Sequence, residues 1–441
     1  MIAKRLARMQ PEQQPTCGWG RYPILPAVVH RARWLQDLVN SGETTLAQGR
    51  LRSYGDAGLA EVAISTLSLN RFLDFDAETG ILEVEAGLTL DEILRFIVPR
   101  GWFLPVTPGT KHPTIGGCVA ADVHGKNHHA DGSFYSHVEA MTLATAEGQI
   151  LRCCRQEHAD LFSATFGGMG LTGYIYAVRL RLLPISSDRI DTVTYRTADL
   201  QQTCDLLSST QSEYRYSVAW VDLLSRRRRG RGLVMLGDHG SGSQLAPHTG
   251  DGLPVPLLPE IALSRWPLRL GNIAYYRRQW TRERRVRVHY DRFFYPLDGL
   301  RAWNRAYGRR GFLQYQFVVP FEGGLSCIER FLDQVGEEAT CSLAVLKSFG
   351  DGPTGPLGFP EPGWTLALDY PRTDRTIRAL RDATSVIREA GGRIYLAKDA
   401  ILEPTHFQGM YSQLEEFVQI KKRYDPHNRL RSAQSDRLGI T

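Results

Sequence analysis

The stretch from Pro105 to Ser133, PVTPGTKHPTIGGCVAADVHGKNHHADGS, most constrains the fold of this chain. It holds five glycines (Gly109, Gly116, Gly117, Gly125, Gly132) and four histidines (His112, His124, His128, His129), but almost no large aliphatic residues. A segment so poor in bulk is not expected to act as a packing element. Its glycines let backbone N–H groups approach a ligand closely or adopt φ > 0. Successive N–H groups in such turns form an anion-binding concavity. The run from Cys118 to Ala121 offers a flat apolar wall beside it. The expectation is a loop-rich cradle for a diphosphate-bearing cofactor, with a plain connecting loop as the alternative. The spacing His124-x-x-x-His128-His129 does not argue for a metal. Zinc would want further ligands at defined spacing, and Gly125 and Asn127 interrupt any helix that would aim the rings together.

A chain of 441 residues exceeds the size at which one core stops growing, so two domains are expected. Hydrophobic content of 42% and charged content of 23% are those of an ordinary globular enzyme, and the net charge of +6 is mildly basic. The seven cysteines are odd in number and form no CxxC pair, which argues for free thiols. No run of about 18 apolar residues occurs, so no transmembrane helix is expected. The basic N-terminus runs straight into Pro11-Glu-Gln-Gln-Pro15 without an apolar signal core, so a cytoplasmic location is expected.

Taken in order, Val28 to Val39 carries apolar side chains at a spacing that predicts a helix. A short strand, Thr44 to Ala47, then opens into the loop Gln48-Gly49-Arg50-Leu51-Arg52-Ser53-Tyr54-Gly55-Asp56. Here arginines suited to bidentate phosphate contact are set among glycines that let the chain turn tightly. Its alternative is an exposed basic hairpin. Arg71 to Phe75 and Ile81 to Ala86 read as paired strands. Thr89 with Glu92 makes a capping box for a helix from Leu90 to Val98, which Pro99 ends. Ala140 to Ala144 pairs with Gln149 to Cys153, a short helix covers Asp160 to Phe166, and Gly167 to Gly173 makes a third glycine turn before the strand Tyr174 to Leu183. The strand–turn–helix context of a dinucleotide fingerprint is missing, so a Rossmann domain is disfavoured.

From about Ile190 the strands Ser217 to Leu223, Phe312 to Pro320, Ser342 to Phe349 and Trp364 to Tyr370 alternate with helices Leu325 to Val335 and Thr376 to Ala390. The expected fold class is therefore α+β, its second domain an antiparallel sheet with helices on one face. The chain returns through Gly391 to Asp399 to a terminal helix near His406 to Lys422. The domains divide as 1–188, 189–392 and a returning segment 393–441. Two basic stretches stand apart. One is Arg226 to Arg229 with Arg231; the other, Ser264 to Tyr290, interleaves eight arginines with Trp266, Tyr275, Tyr276 and Trp280. Such mixing suits an anionic membrane surface or a phosphate-bearing lipid. Nucleic acid is a second fit, and a solvated flexible loop the plain reading.

Pro108-Gly109-Thr110, Thr114-Ile115-Gly116-Gly117 and Asp122-Val123-His124-Gly125-Lys126-Asn127-His128-His129 resemble flavoproteins of the vanillyl-alcohol oxidase type. Within them, Ser217 to Trp220, Phe294 to Asp298, Trp303 to Gly308, Gly311 to Phe317 and Ala397-Lys398-Asp399 resemble the oxidase subunits of decaprenylphosphoryl-β-D-ribose 2′-epimerases. The likeness extends from about Gly18 to the end of the chain. It implies a two-domain PCMH-type FAD-binding fold with FAD between the domains. FAD would be held by Gly49, Arg52, Ser53, Tyr54, Gly55, Asp56, Gly109, Thr110, Thr114, Ile115, Gly116 and Gly117. Ala121, Asp122, Val123, His124, Ile175 and Tyr395 would complete that site. Arg52 stands where covalently flavinylated members carry histidine, so noncovalent FAD is expected.

The implied reaction oxidises the 2′-hydroxyl of a polyprenyl-phosphoryl ribose to a ketone, which a separate NADH-dependent reductase would reduce to the arabino epimer. Lys398, Tyr54 and His124 are the implied catalytic residues, Lys398 as a base of lowered pKa. Trp220, Tyr295, Gln314, Gln316, Lys347, Thr365, Ala367 and Lys398 are the implied substrate pocket. Leu51 replaces a glycine of the family pattern, and Thr365 and Ala367 replace Asn and Cys, so the pyrophosphate contact and the pocket are expected to differ there. The implied partners are a polyprenyl-phosphate-linked pentose and the reductase; the basic-aromatic stretches add an expected peripheral contact with the inner face of an anionic membrane, and no nucleic acid is expected. The rival readings are a sugar or aldonolactone oxidase using O₂ and a non-enzymatic anionic-membrane or nucleic-acid binder.

Overall fold

The computed structural model describes residues 12–39, 45–225, 230–250 and 252–440. Arg226 to Arg229, Thr44 and the first eleven residues lie outside the described residues.

The N-terminal part contains two sheets. The smaller has the strand order Glu12–Cys17, Ile24–Arg31, Val62–Ser65, Leu46–Gln48, with parallel pairing around Val62–Ser65. The helix expected over Val28 to Val39 is thus strand up to Arg31, and only Leu35–Val39 is helical. The β-branched pair Val28 and Val29 lies between two strand neighbours, and a ladder on both sides outweighs a weak helical period. The larger sheet, Phe72–Asp76, Ile81–Glu85, Tyr174–Arg181, Val138–Ala144, Ile150–Cys154, is antiparallel throughout and contains both expected hairpins. The capping box at Thr89 is formed, and the helix Leu90–Ile97 buries Leu90, Ile93, Leu94 and Ile97.

An eight-stranded antiparallel sheet forms the second part, in the order Glu283–His289, Arg189–Thr197, Arg231–His239, Tyr216–Asp222, Leu343–Phe349, Gly363–Pro371, Phe312–Val319, Arg393–Ile394. Because side chains alternate across a strand, Tyr315, Phe317, Leu346, Leu366 and Leu368 share one face. They form a core with Ile328, Phe331 and Leu332 of the helix Gly324–Val335 and with Leu380, Ala383 and Ile387 of the helix Asp374–Glu389. The opposite face is left for a site. Arg393–Ile394 still belongs to this sheet, so the return to the first part begins after Ile394. The expected terminal helix is two helices, Pro404–Met410 and Leu414–Tyr424, divided at Tyr411, whose hydroxyl donates to the Ile394 carbonyl at 2.7 Å. The C-terminal segment is fastened by a Thr45–Leu430 bridge and by Arg437, which pairs with both Asp56 and Asp399 at 2.7 Å.

The stretch Ser264 to Tyr290 is not a loop. It forms the helix Arg265–Arg277 and the edge strand Glu283–His289. No helix among the described residues is long and apolar enough to cross a membrane.

Candidate active site

The first glycine loop and the central cradle meet because neither carries side-chain bulk at the junction. A Cβ on Gly49 would stand 2.4 Å from Thr114 Oγ1, and one on Gly116 would stand 2.7 Å from Ala86 Cβ. Gly55 lies so close to the returning C-terminal segment that a Cβ would come within 1.8 Å of the Asp399 carbonyl oxygen. The cradle is not free of packing elements, as its composition suggested. Thr114 caps a short helix, Ile115–Ala120, whose Ile115, Cys118 and Val119 are fully buried. Bulk is confined to that inner face. Leu51 adopts φ 51°, the left-handed conformation for which glycine is the usual residue, so the turn keeps its shape despite the substitution.

Between these loops and the open face of the large sheet lies a cavity of about 590 Å³. Of the residues expected to hold FAD, Gly49, Arg52, Ser53, Tyr54, Gly55, Gly109, Thr110, Thr114, Gly116, Gly117, Ala121, Val123, His124, Ile175 and Tyr395 line it. Three expected contacts stand elsewhere. Ile115 is in the core, and Asp56 faces away to bond Arg437. The buried Asp122 carboxylate accepts from the Tyr135 amide, and burial pushes its pKa up to about 7. Arg52 lies 4.1 Å from the centroid of Trp19, and its Nε is buried without a hydrogen-bond partner. An unsatisfied buried guanidinium N–H at the meeting of two glycine loops fits a diphosphate, which would return the hydrogen bond lost to burial. The residues present therefore fit FAD: the two glycine loops with Arg52 would hold its phosphates.

The sheet supplies the other wall. Gln314, Gln316, Lys347 and Ala367 line the cavity, and Lys398 enters from the returning segment. Strand pairing explains their convergence: Gln316 is opposite Ala367, Ala367 opposite Val345, and Val345 opposite Trp220. Thr365 stands one layer back, 3.1 Å from Gln316 Nε2, and donates to the Phe317 carbonyl, so it orients the glutamine without touching the cavity. Tyr295 and Trp220 are not cavity residues. Tyr295 is fully buried with its hydroxyl 2.6 Å from Thr107 Oγ1, and Trp220 packs on Leu233 and Tyr276. Trp220 shares a sheet face with Val345 but lies where the helix Arg265–Arg277 covers that face. Leu343 and Val345, which line the cavity, and Trp19 and Asp298 at its loop end were not singled out from sequence. Leu343 and Val345 follow from the register with Ala367 once the sheet order is known, since Val345 and Lys347 alternate onto one face.

Four segments far apart in sequence are knotted here by main-chain and side-chain bonds. The Tyr54 amide donates to Ala397 O at 2.9 Å, the Tyr395 amide to Gln316 O at 2.9 Å, and the Tyr395 hydroxyl to Ala121 O at 2.8 Å. Lys398 Nζ lies 3.8 Å from the centroid of the Tyr54 ring. Burial pulls the Lys398 pKa down to about 7; Asp369 opposes the fall and the charge of Lys347 adds to it. Burial likewise lowers Lys347 to about 8 and raises Asp369 to about 6. Asp369 accepts from Gln314 Nε2 at 2.5 Å. His124 Nε2 is 2.9 Å from Gln316 Nε2, and burial, then the Lys347 charge, holds the ring neutral, well below the usual histidine range. Tyr54 is pushed well above the usual tyrosine range, chiefly by burial. Of the three residues expected to be catalytic, Lys398 is the one whose pKa is brought near neutrality, while burial keeps Tyr54 and His124 neutral.

His124 and His128 both pack on the Phe349 ring, with centroids 4.7 and 4.4 Å away, while His129 Nε2 is 3.0 Å from Tyr214 O. Among the described residues no group of three or more His, Cys, Asp or Glu is arranged to hold a metal ion.

Comparison with known proteins agrees with this geometry. An FAD-binding-domain family matches residues 32–154, and a D-arabinono-1,4-lactone oxidase family matches residues 368–438. A decaprenylphosphoryl-β-D-ribose oxidase of Mycolicibacterium smegmatis is 34% identical, over 96% of this chain and 97% of the relative. An uncharacterised protein of Streptomyces coelicolor is 32% identical over 80% of this chain and its own full length. The human Δ(24)-sterol reductase is 30% identical over 27% of this chain and 23% of the reductase. The first of these likenesses spans both glycine loops, the sheet wall and Lys398: this chain is an FAD-dependent oxidoreductase and belongs to the decaprenylphosphoryl-β-D-ribose oxidase family.

Proposed function

We propose that this protein oxidises the 2′-hydroxyl of a polyprenyl-phosphoryl-β-D-ribose to the 2′-ketone, at the membrane surface on the cytoplasmic side. The observation that carries this reading is the cavity wall itself. Two half-buried lysines of lowered proton affinity, Lys398 and Lys347, meet Gln314, Gln316 and His124 in one cavity, next to a cradle that fits FAD. Neutral Lys398 takes the hydroxyl proton as the carbon–hydrogen bond breaks. Bound FAD supplies the two-electron acceptor for the departing hydride. Lys347, whose pKa near 8 leaves it largely charged at neutral pH, pairs with the phosphate and gains charge as the anion arrives. Gln314 and Gln316 hydrogen-bond the sugar; each is itself held, by Asp369 and by Thr365. The ketone is an intermediate, and a separate NADH-dependent keto-reductase completes the epimerisation to the arabino sugar. FAD is bound noncovalently, with Arg52 rather than a histidine in the first loop.

The match of residues 368–438 to an aldonolactone oxidase family supports a second reading, oxidation of a free lactone with O₂. That match includes Lys398 but not Gln314, Gln316 or Lys347. Anaerobic mixing with a polyprenyl-phosphoryl ribose while recording the flavin band separates the two. Bleaching by the lipid-linked ribose supports the first reading. Bleaching by D-arabinono-1,4-lactone alone supports the second, and a flavin that stays oxidised with both refutes both.

A further inference from the structure

The helix Arg265–Arg277 meets the sheet through one buried aromatic, Tyr276, which packs on Trp220 and Leu233, and otherwise through polar contacts. Asn272 Nδ2 donates to Asp222 at 2.8 Å, the Tyr276 hydroxyl to Thr197 O at 3.0 Å, and Gln279 Nε2 to Thr194 O at 3.1 Å. The outward side carries large apolar groups as well: Trp266 is 67% exposed and Leu270 64%, one turn apart, and Trp280 just beyond the helix is 87% exposed. A helix docked only on its own protein would be expected to point these side chains inward. Arg269, Arg277, Arg278, Arg282 and Arg284 surround them and make no ion pair with a carboxylate among the described residues. The preceding segment repeats the pattern, with Leu253 and Ile261 each about three-quarters exposed. Leu253 also leads back to the cavity. Leu253–Pro254 pairs in parallel with Leu300–Arg301, and Gly252, Leu300 and Arg301 line the cavity.

We infer that the chain from Leu253 to Arg284 is a bilayer-docking face that seats the cavity mouth on an anionic membrane. The inference rests on the proposed lipid-linked substrate for its purpose, but not for its chemistry. Exposed tryptophans flanked by arginines suit the headgroup layer, where the indole lies at the interface and the guanidinium meets lipid phosphate. An apolar tail held in the bilayer then reaches the cavity past Leu253 and Leu300 without crossing water. Nucleic acid is the weaker fit, because Leu253, Ile261 and Leu270 offer it nothing to stack on or pair with.

The vesicle-binding measurement uses the FAD-loaded full chain without substrate, so it stands whether or not the substrate assignment does. Co-sedimentation is measured with phosphatidylglycerol/phosphatidylcholine vesicles and with pure phosphatidylcholine vesicles. The expected result is partition into the anionic vesicles, with tryptophan fluorescence quenched by brominated lipid. Trp266→Ser with Trp280→Ser abolishes the quenching, and Arg269→Glu with Arg277→Glu lowers partition by at least about tenfold, given roughly 1 kcal/mol per basic residue at such a surface. Both variants oxidise a short-chain, water-soluble substrate as the wild type does, but oxidise a vesicle-embedded one more slowly. Equal partition to neutral and anionic vesicles overturns the inference. So does wild-type binding by both variants, or a single-stranded oligonucleotide that binds tightly and regardless of the tryptophans.

Discussion

Lys398 offers the sharpest test of the site. A lysine with an ordinary pKa near 10.4 has only about one neutral amine in a few thousand at pH 7. At a pKa of about 7, half the molecules carry the neutral base, a gain of about a thousandfold. Only the neutral amine accepts a proton, so the rate of flavin reduction rises with pH, tenfold per unit, and levels off above about 7. The neighbours set the position of that break. Asp369 favours the charged amine, so Asp369→Asn moves the break to lower pH. Lys347 disfavours it, so Lys347→Met moves the break to higher pH. Lys398→Met removes the rising limb and lowers the plateau by about 10²–10⁴-fold, the usual contribution of a positioned base. The assay is anaerobic stopped-flow bleaching of the flavin band at saturating substrate, from mildly acidic to mildly alkaline pH. If the two neighbour variants shift the break in the same direction, or not at all, Lys398 is not the titrating base.

Three further outcomes follow from the cradle. Gly55→Ala forces a Cβ against the Asp399 carbonyl, and the overlap, costing about 1–3 kcal/mol or more, separates the first loop from the returning segment; the purified variant is expected to be colourless. A variant that purifies yellow, with full FAD, would show that this contact does not hold the loop. Leu51→Gly is expected to melt no more than about 1 kcal/mol away from wild type, because relief of the left-handed strain offsets the entropy and packing lost, whereas Leu51→Val is lower by about 1–2 kcal/mol in urea titration. Denaturation followed by ultrafiltration should release all the yellow colour into the filtrate; colour retained with the polypeptide would contradict noncovalent FAD.

Much of this protein is legible from residue order because the relevant physics is local. The capping box at Thr89, the hairpin around Asp76 to Gly80 and the amphipathic helix from Asp374 depend on neighbours a few residues away, and the structure contains all three. The low bulk of the Pro105 to Ser133 stretch predicted a cradle, and Gly49 and Gly116 are glycines because another segment lies where a Cβ would stand. The strand at Ile24–Arg31 was not legible, because its partners on either side are set by the fold and outweigh a weak period. The short helix Ile115–Ala120 was missed for a related reason: its buried face is only three side chains wide.

What only the tertiary structure decided is which side chains share a space. Asp56 was expected beside a phosphate, yet Arg437, 381 residues later in the chain, claims both its carboxylate oxygens. Trp220 and Val345 stand opposite one another on one sheet face, but the Arg265–Arg277 helix covers the first and leaves the second to the cavity. The lowered proton affinity of Lys398 likewise follows from burial and from Asp369 and Lys347, brought in by two strands of the sheet. Sequence by itself determined the loop chemistry and the family. Sheet order, register and burial, which arise from pairings across hundreds of residues, decided which of those residues meet.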